Sequence, residues 1–312
     1  MNWTMANRLG HIAATKAHSR LGVDSTRYPI NVSKAIDDAG LALMHRPMPR
    51  LFGIYIEANG NRGIMVNSIM TRATRRHTAA HELGHHEFQH RPDPARHCAI
   101  ETNLAAGAES SSTGAQGRVK TQGQVEMTAE TFAAWFLMPR RAVIAATAAL
   151  GMDTVSSPEH AYQLSLMLGT THRATCRHLA NLRLADPDDS GRWARVPPGR
   201  LKRALAAEVG LALNSTFDMD VWDLRTSNRA RVEASVGDLL VLPADFEVVA
   251  EERGLNVVAS SASTVTVECA APTTFTNLMS SRLTVALVVH DRTLGVYLPA
   301  ADPSLREVEL TS

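Results

Sequence analysis

The sequence predicts an α+β protein: a small sheet beside a histidine-bearing helix, then a helical segment, then a β-rich carboxy-terminal part. Three observations carry this expectation. Residues 41–67 alternate short apolar runs with an Asn-Gly turn, residues 74–90 are helix-forming and crowded with histidine, and beyond residue 239 runs of Val, Leu and Thr recur between Asp, Gly and Pro. A chain of 312 residues can bury a sizeable core and divide into two or three domains.

Composition narrows the classes. At 45% hydrophobic and 20% charged the chain has an ordinary soluble, globular make-up, and a net charge of +1 gives no global electrostatic reason to expect a nucleic-acid or membrane partner. Only Lys16, Lys34, Lys120 and Lys202 among the 32 basic residues are lysines, a bias of composition rather than a binding surface. Three scattered cysteines, Cys98, Cys176 and Cys269, argue against a disulfide framework and for a reducing compartment. No secretory signal opens the sequence and no run of about 18 apolar residues interrupts it, so a cytoplasmic location without a membrane partner is expected.

In chain order, residues 3–21 place Met5, Leu9, Ile12 and Ala13 on one side of a modestly amphipathic helix. Asn31 or Ser33 then caps a short helix that runs to Asp38 and stops at Gly40. Strands are expected at 41–45 and 51–57, a turn at Asn59, Gly60, Asn61 and Gly63, and a partner strand at 63–67.

The next stretch, residues 74–90, contains His81, Glu82 and His85 in the pattern His-Glu-x-x-His. On a helix, residues four apart share a face, so the two imidazoles converge on a point where one divalent ion fits. Glu82, beside the first of them, is placed to take a proton from water. His86 is rotated by about 100 degrees from His85 and points away. His90 and His97 are expected at the surface, and Cys98 as a small, partly buried side chain. In metallopeptidases of this kind a strand beside the helix offers its backbone to an extended peptide, which makes Ile64, Met65, Val66 and Asn67 the candidate substrate-binding strand; an ordinary hairpin strand is the alternative.

Residues 103–124, rich in Gly, Ser and Ala, are expected to form a flexible surface loop. A second helix follows, punctuated by Val125, Phe132, Trp135, Phe136 and Met138 and ending at Pro139. A catalytic zinc takes three protein ligands and leaves a fourth position open. Glu126 and Glu130, four apart on one face of this helix, are the candidates for the third, with Glu126 chosen as ligand and Glu130 as the group that orients a histidine.

The segments HTAAHELGHHEFQH and E-x-x-A-x-x-FAAWFLMP, with PINVSKAIDDAGLAL and GIMVNS upstream, resemble the ImmA/IrrE family of metallopeptidases over about residues 28–184. The resemblance implies a zincin-like catalytic domain with zinc on His81, His85 and Glu126 and Glu82 as the catalytic carboxylate; manganese is an alternative metal, because ligands of this mixed type choose metals partly by availability. It further implies a protein substrate, a helix-turn-helix repressor, cut to release stress-response or mobile-element genes. Two features depart from the family: the loop between the motifs is long, and Glu130 stands where Asn or Asp is more usual.

Residues 158–184 predict two helices joined at Gly169, a helix-turn-helix-like arrangement in which Arg173, Arg177 and His178 would face DNA. In the ImmA/IrrE family such helices pack on the metal-site core, so DNA binding is not favoured, and one of Tyr162, His172 and Arg173 is the candidate for stabilising the transition state. Polar breaks at 186–191 and 197–199 bracket a boundary before a helix at 200–207. Strands are then expected at 239–242, 246–250, 256–259, 264–269, 283–290 and 294–298, in an antiparallel or mixed sheet. The organisation expected is therefore an N-terminal helix (1–27), a zincin-like metallopeptidase domain (28–150), a helix-turn-helix-like segment (151–190) and a β-rich accessory domain (191–312). The rival expectations are a DNA-binding regulator with a structural or sensory metal site and a toxin–antitoxin component.

Overall fold

The computed structural model describes residues 2–58, 60–90, 116–246, 254–280 and 283–292, and over them the chain is α+β, with nine helices and three small sheets. Helix α1 (Trp3–Arg20) starts at Asn2, whose side chain accepts the Met5 N–H at 3.0 Å. It packs along α4 (Gln116–Leu137) through Ala6, Gly10, Ala14 and Ala17, all buried. The sequence points to the opposite stripe, but Met5, Leu9 and Ile12 are exposed. The reason is distance: a Cβ on Gly10 would lie 2.5 Å from Thr131 Oγ1 and 2.7 Å from the Phe132 nitrogen, so only small side chains fit between these two backbones. Polar bonds then fix the register of the pair. Thr131 Oγ1 donates to the Ala6 carbonyl at 2.9 Å, and Trp135 Nε1 donates to Asn7 at 2.8 Å.

Helix α2 (Val32–Asp38) is capped by Asn31 and released at Gly40, whose φ of 74° suits glycine. The first sheet has the order β1 (Ala42–Arg46), β3 (Asn61–Asn67), β2 (Gly53–Ala58), with β1 parallel and β2 antiparallel to the central β3. Ile64 and Val66 share one face of β3 and are fully buried; α3 (Arg72–Glu87) packs across β2 and β3. Thr71 caps α3, and the helix ends at Phe88 and the left-handed Gln89 (φ 53°).

The loop expected over 103–124 is helical in its last part, because α4 begins at Gln116; residues 103–115 lie outside the described residues. Helices α5 (Arg140–Ala149), α6 (Pro158–Leu168) and α7 (His172–Asn181) follow, with Gly169 in the left-handed region (φ 63°) between the last two. The polar break at 186–191 is a helix, α8 (Pro187–Trp193): Asp186 accepts the N–H groups of Asp188 and Asp189, Pro187 occupies the first turn, and Trp193 is buried at the other end. Asp and Pro in that order start a helix as readily as they break one.

Helix α9 (Pro198–Glu208) leads into two mixed sheets. One has the order β4 (Val221–Asp223), β6 (Leu239–Pro243), β8 (Thr264–Cys269), β7 (Leu255–Ser260); the other β5 (Arg229–Ser235), β10 (Thr284–His290), β9 (Thr273–Met279). Each contains one parallel pair, β4 with β6 and β5 with β10. Strands β4, β5 and β9 are additions to the sequence-based expectation. In β5 the buried residues Ala230, Val232 and Ala234 alternate with Arg229, Arg231 and Glu233, the period of a half-buried strand, but two of the three buried side chains are alanines and give it a weak apolar signal. The strands expected at 246–250 and 294–298 fall almost wholly outside the described residues. A continuous cluster of buried side chains runs from Leu83 and Phe132 through Leu164 to Trp222, Leu240 and Val285, so the helical and β-rich parts share a core. No described helix is long and apolar enough to cross a membrane.

His178, expected on a DNA-reading face, is 1% exposed. Its Nε2–H donates to the Met138 carbonyl at 3.0 Å and its ring meets Trp135 edge-on. Burial pushes its pKa down to about 4. An unfolded histidine titrates near 6.5, so below that pH the unfolded chain takes up a proton that the fold refuses. Stability from this group is complete above pH 6.5 and is lost on acidification toward pH 4, roughly 3 kcal/mol in all. Urea unfolding at pH 7.5 and pH 5 should show about 2 kcal/mol of that loss, and His178→Gln should flatten it; an identical pH dependence in the variant would assign the effect elsewhere.

Candidate metal centre

Two helices build the centre. Helix α3 presents His81 and His85 one turn apart, and α4 crosses it where Gly84 meets Ala129: a Cβ on Gly84 would lie 3.2 Å from the Ala129 Cα and carbonyl oxygen and 3.0 Å from Phe132 Cδ1. That approach brings Glu126, one turn before Ala129, to the histidines. Nε2 of His81 lies 3.1 Å from Nε2 of His85 and 3.2 Å from Oε2 of Glu126, and Nε2 of His85 lies 3.7 Å from the same oxygen. Ligand bonds of about 2.0–2.2 Å at tetrahedral angles separate donor atoms by about 3.3 Å. The three donors therefore surround a space of the right size for one ion, and two imidazoles with a carboxylate suit zinc and also admit manganese.

The pair Glu126 and Glu130 separates into two roles by the two sides of one ring. Glu130 Oε2 sits 3.4 Å from Nδ1 of His81 and 2.9 Å from Nε2 of His77. It bears on the nitrogen opposite the metal-facing one, where a carboxylate fixes the tautomer and orientation of the ring. Partial burial works against the Glu130 charge, but His77 and His81 outweigh it and hold the carboxyl well below its ordinary range. Burial likewise opposes the Glu126 charge, and His81 and His85 again overcome it. His77 went unassigned in the sequence, although it precedes His81 by four residues and so shares its face. Arg177 of α7 also acts on Glu130 through its charge.

Glu82 is 3% exposed, and burial raises its carboxyl pKa against the opposing pull of His81 and His85. The backbone N–H of Tyr55 donates to it. Gly53 makes this possible: a Cβ there would lie 2.4 Å from Thr78 Cγ2 and 3.4 Å from Glu82 Cγ, so β2 lies close against α3 only where it has no side chain. His86 turns away from the donors, its Nδ1 3.2 Å from the Tyr55 hydroxyl. His90, expected at the surface, places Nδ1 3.0 Å from Nδ1 of His85. His97 and Cys98 lie outside the described residues.

Two expectations need correction. Ile64, Met65, Val66 and Asn67 cannot accept an added strand, because β3 is paired along both edges; Ile64, Val66 and Asn67 are fully buried, and the Asn67 amide bonds the Met48 and Leu51 carbonyls. Among the described residues the sheet edge beside α3 that has no strand partner belongs to β2. The Asn67 N–H donates to the Phe52 carbonyl, so by the alternation of an antiparallel pair the polar groups of Gly53, Tyr55 and Glu57 point outward. Nor are Tyr162 and His172 brought to the donors: Tyr162 donates to Asp220 at 3.0 Å and accepts from the Val221 N–H, and Nε2 of His172 bonds the Trp193 carbonyl at 3.0 Å. Both are buried and satisfied away from the centre; Arg173 is exposed on α7.

Residues 48–168, which contain both motif helices, match the family model Peptidase_M78, the IrrE N-terminal-like domain. No curated protein matches the chain.

The geometry predicts one zinc per chain. In competition with a chromogenic chelator, Glu126→Gln should remove tight binding, while Glu130→Gln should weaken it about 10–100-fold as an orienting group does. Undiminished affinity in Glu126→Gln would show that the ion sits elsewhere.

Proposed function

We propose that this protein is a zinc-dependent endopeptidase of zincin-like architecture, a reading supported by the match of residues 48–168 to the Peptidase_M78 family model. The observation that carries the reading is the convergence of His81, His85 and Glu126 within 4.8 Å of one another, with Glu82 on the turn between the two histidines. A bound divalent ion supplies Lewis acidity, making water a stronger acid and a peptide carbonyl a better electrophile.

The chain's own groups do the rest. Glu82, buried and with a raised pKa, accepts a proton from the attacking water and returns it to the departing amine. The Tyr55 N–H keeps that carboxylate aimed, and Glu130 keeps His81 aimed. An extended substrate adds to the outer edge of β2, where Gly53 and Glu57 offer outward backbone groups on either side of the Tyr55 N–H that holds Glu82. Strand addition recognises backbone more than side chains, so specificity falls to the surfaces around it.

The substrate we infer is a helix-turn-helix repressor, whose cleavage in the cytoplasm releases stress-response or mobile-element genes. The support for it is the resemblance of the motifs to the ImmA/IrrE family together with the matched domain. Incubating the zinc-loaded protein with helix-turn-helix repressors from the same genome, and reading fragments by mass spectrometry, should give a single cut in one of them. Glu82→Gln should keep the metal and lower the cleavage rate about 10²–10⁴-fold. Cleavage undiminished in that variant would remove the hydrolytic mechanism, and an intact repressor with a cut generic peptide would remove only the substrate.

A further inference from the structure

The sheet that carries β2 has two faces of different character. Side chains along a strand alternate, and the face of Gly53 and Tyr55 is turned to α3: a Cβ on Gly53 would meet Thr78, and the Tyr55 hydroxyl lies 3.2 Å from Nδ1 of His86. Ile54 and Ile56 therefore point the other way. The register sets Met65 of β3 beside Ile54 and Met44 of β1 beside Met65, while Gly63 and Ala42 continue the row of Ile56. Neither row contains a charged or polar side chain.

Exposure separates this face from the core. Met44 is 40% exposed, and Ile54, Ile56 and Met65 are partly exposed. Among the described residues none of these four joins the clusters of buried side chains. Apolar side chains exposed in adjoining rows mark a contact site, unlike single ones scattered over a surface. The edge beside them is equally undefended. Sheet edges that face water are guarded by lysine, proline or a bulge. Strand β2 reads Gly-Ile-Tyr-Ile-Glu-Ala and pairs with β3 without a break in register, and its one charge, Glu57, is held by Arg62 at 2.9 Å.

We propose that this face selects the substrate: in a strand added to β2, the two side chains that lie beside Ile54 and Ile56 are apolar. The inference rests on the strand addition put forward above, and not on hydrolysis. A strand on that edge, running in either direction, turns alternate side chains to alternate faces. The substrate residue across from Tyr55 faces α3, and its two neighbours extend the rows of Ile54 and Ile56. Each neighbour covers apolar surface against an isoleucine as cross-strand pairs do. Met65, behind Ile54, is flexible enough to admit side chains of different shape. The preferred sequence is thus apolar, any residue, apolar. Its cut falls beside or within that triplet, because Glu82 lies against Gly53 and is held by the Tyr55 N–H.

Fluorescence anisotropy of labelled peptides on the zinc-loaded Glu82→Gln protein reads binding apart from cleavage. A peptide with Ile-Thr-Ile at its centre should bind about tenfold or more tightly than the same peptide with Ser-Thr-Ser. Changing both Ile54→Asp and Ile56→Asp should transfer the preference to Lys-Thr-Lys with zinc affinity unchanged, a switch that a merely structural role would not produce. Should that variant fail to fold, Ile56→Thr, which keeps the branched side chain of a strand, should reduce the apolar preference severalfold. Equal binding of the two peptides, no saturable binding by either, or a preference indifferent to the folded variants overturns the proposal. So does a dimer in sedimentation that Ile54→Asp disperses, which would give the face to a second copy of the chain. An apolar preference in binding with no cut by the unaltered protein upholds the face and removes the hydrolytic reading, whereas cuts without that preference do the reverse.

Discussion

The close approach of α3 and α4 at Gly84 and Ala129 is the constraint on which the centre depends. Three side chains on two helices can share one ion only if the backbones come near enough for a glutamate to span the gap. A methyl group at position 84 would press on the Ala129 backbone and on Phe132. Around this contact Leu83, Phe132 and Phe136 are fully buried, the two phenyl rings stacked with centroids 5.4 Å apart. Burial of side chains of that size contributes about 1.5–3 kcal/mol each, and this apolar surround holds in place donors that would otherwise repel or solvate. Helix α1 repeats the device on another face of α4, with Gly10 against Thr131.

Held this way, the histidines are oriented from behind. Glu130 and His77 steady one ring and His90 contacts the other, while Glu82 is held by a backbone N–H from the strand proposed to receive substrate. The Glu82 carboxylate and the β2 edge are thereby in contact. The same helix that bears the donors begins at Arg72, which pairs with Glu233 of β5, so α3 connects the donor set to the carboxy-terminal sheet.

How much of this was legible in the sequence depended on how local each signal was. His81, Glu82 and His85 were readable because a helix sets their mutual geometry within five residues. Glu126 was reachable because its helix is strongly marked from Val125 to Pro139 and because a catalytic ion calls for a third ligand. Helix boundaries at Asn31, Gly40 and Gly169 followed from capping chemistry. Misreadings arose where a residue's meaning is set by what lies across from it: Met5, Leu9 and Ile12 formed the plausible apolar face of α1, and yet α4 comes too close for anything but alanine and glycine.

The sequence by itself determined the His-Glu-x-x-His pattern, two candidate glutamates for a third donor and the α+β class, since these rest on residue chemistry and on the periods of helix and strand; which glutamate faces the histidine pair was left to the fold. Only the tertiary structure decided that β3 lies between two partners and leaves β2 at the edge beside α3, that Tyr162, His172 and His178 are spent on internal hydrogen bonds, and that Met44, Met65, Ile54 and Ile56 share the sheet face turned away from α3. Strand order and burial are properties of segments far apart in the chain, and no local pattern encodes which of them will meet.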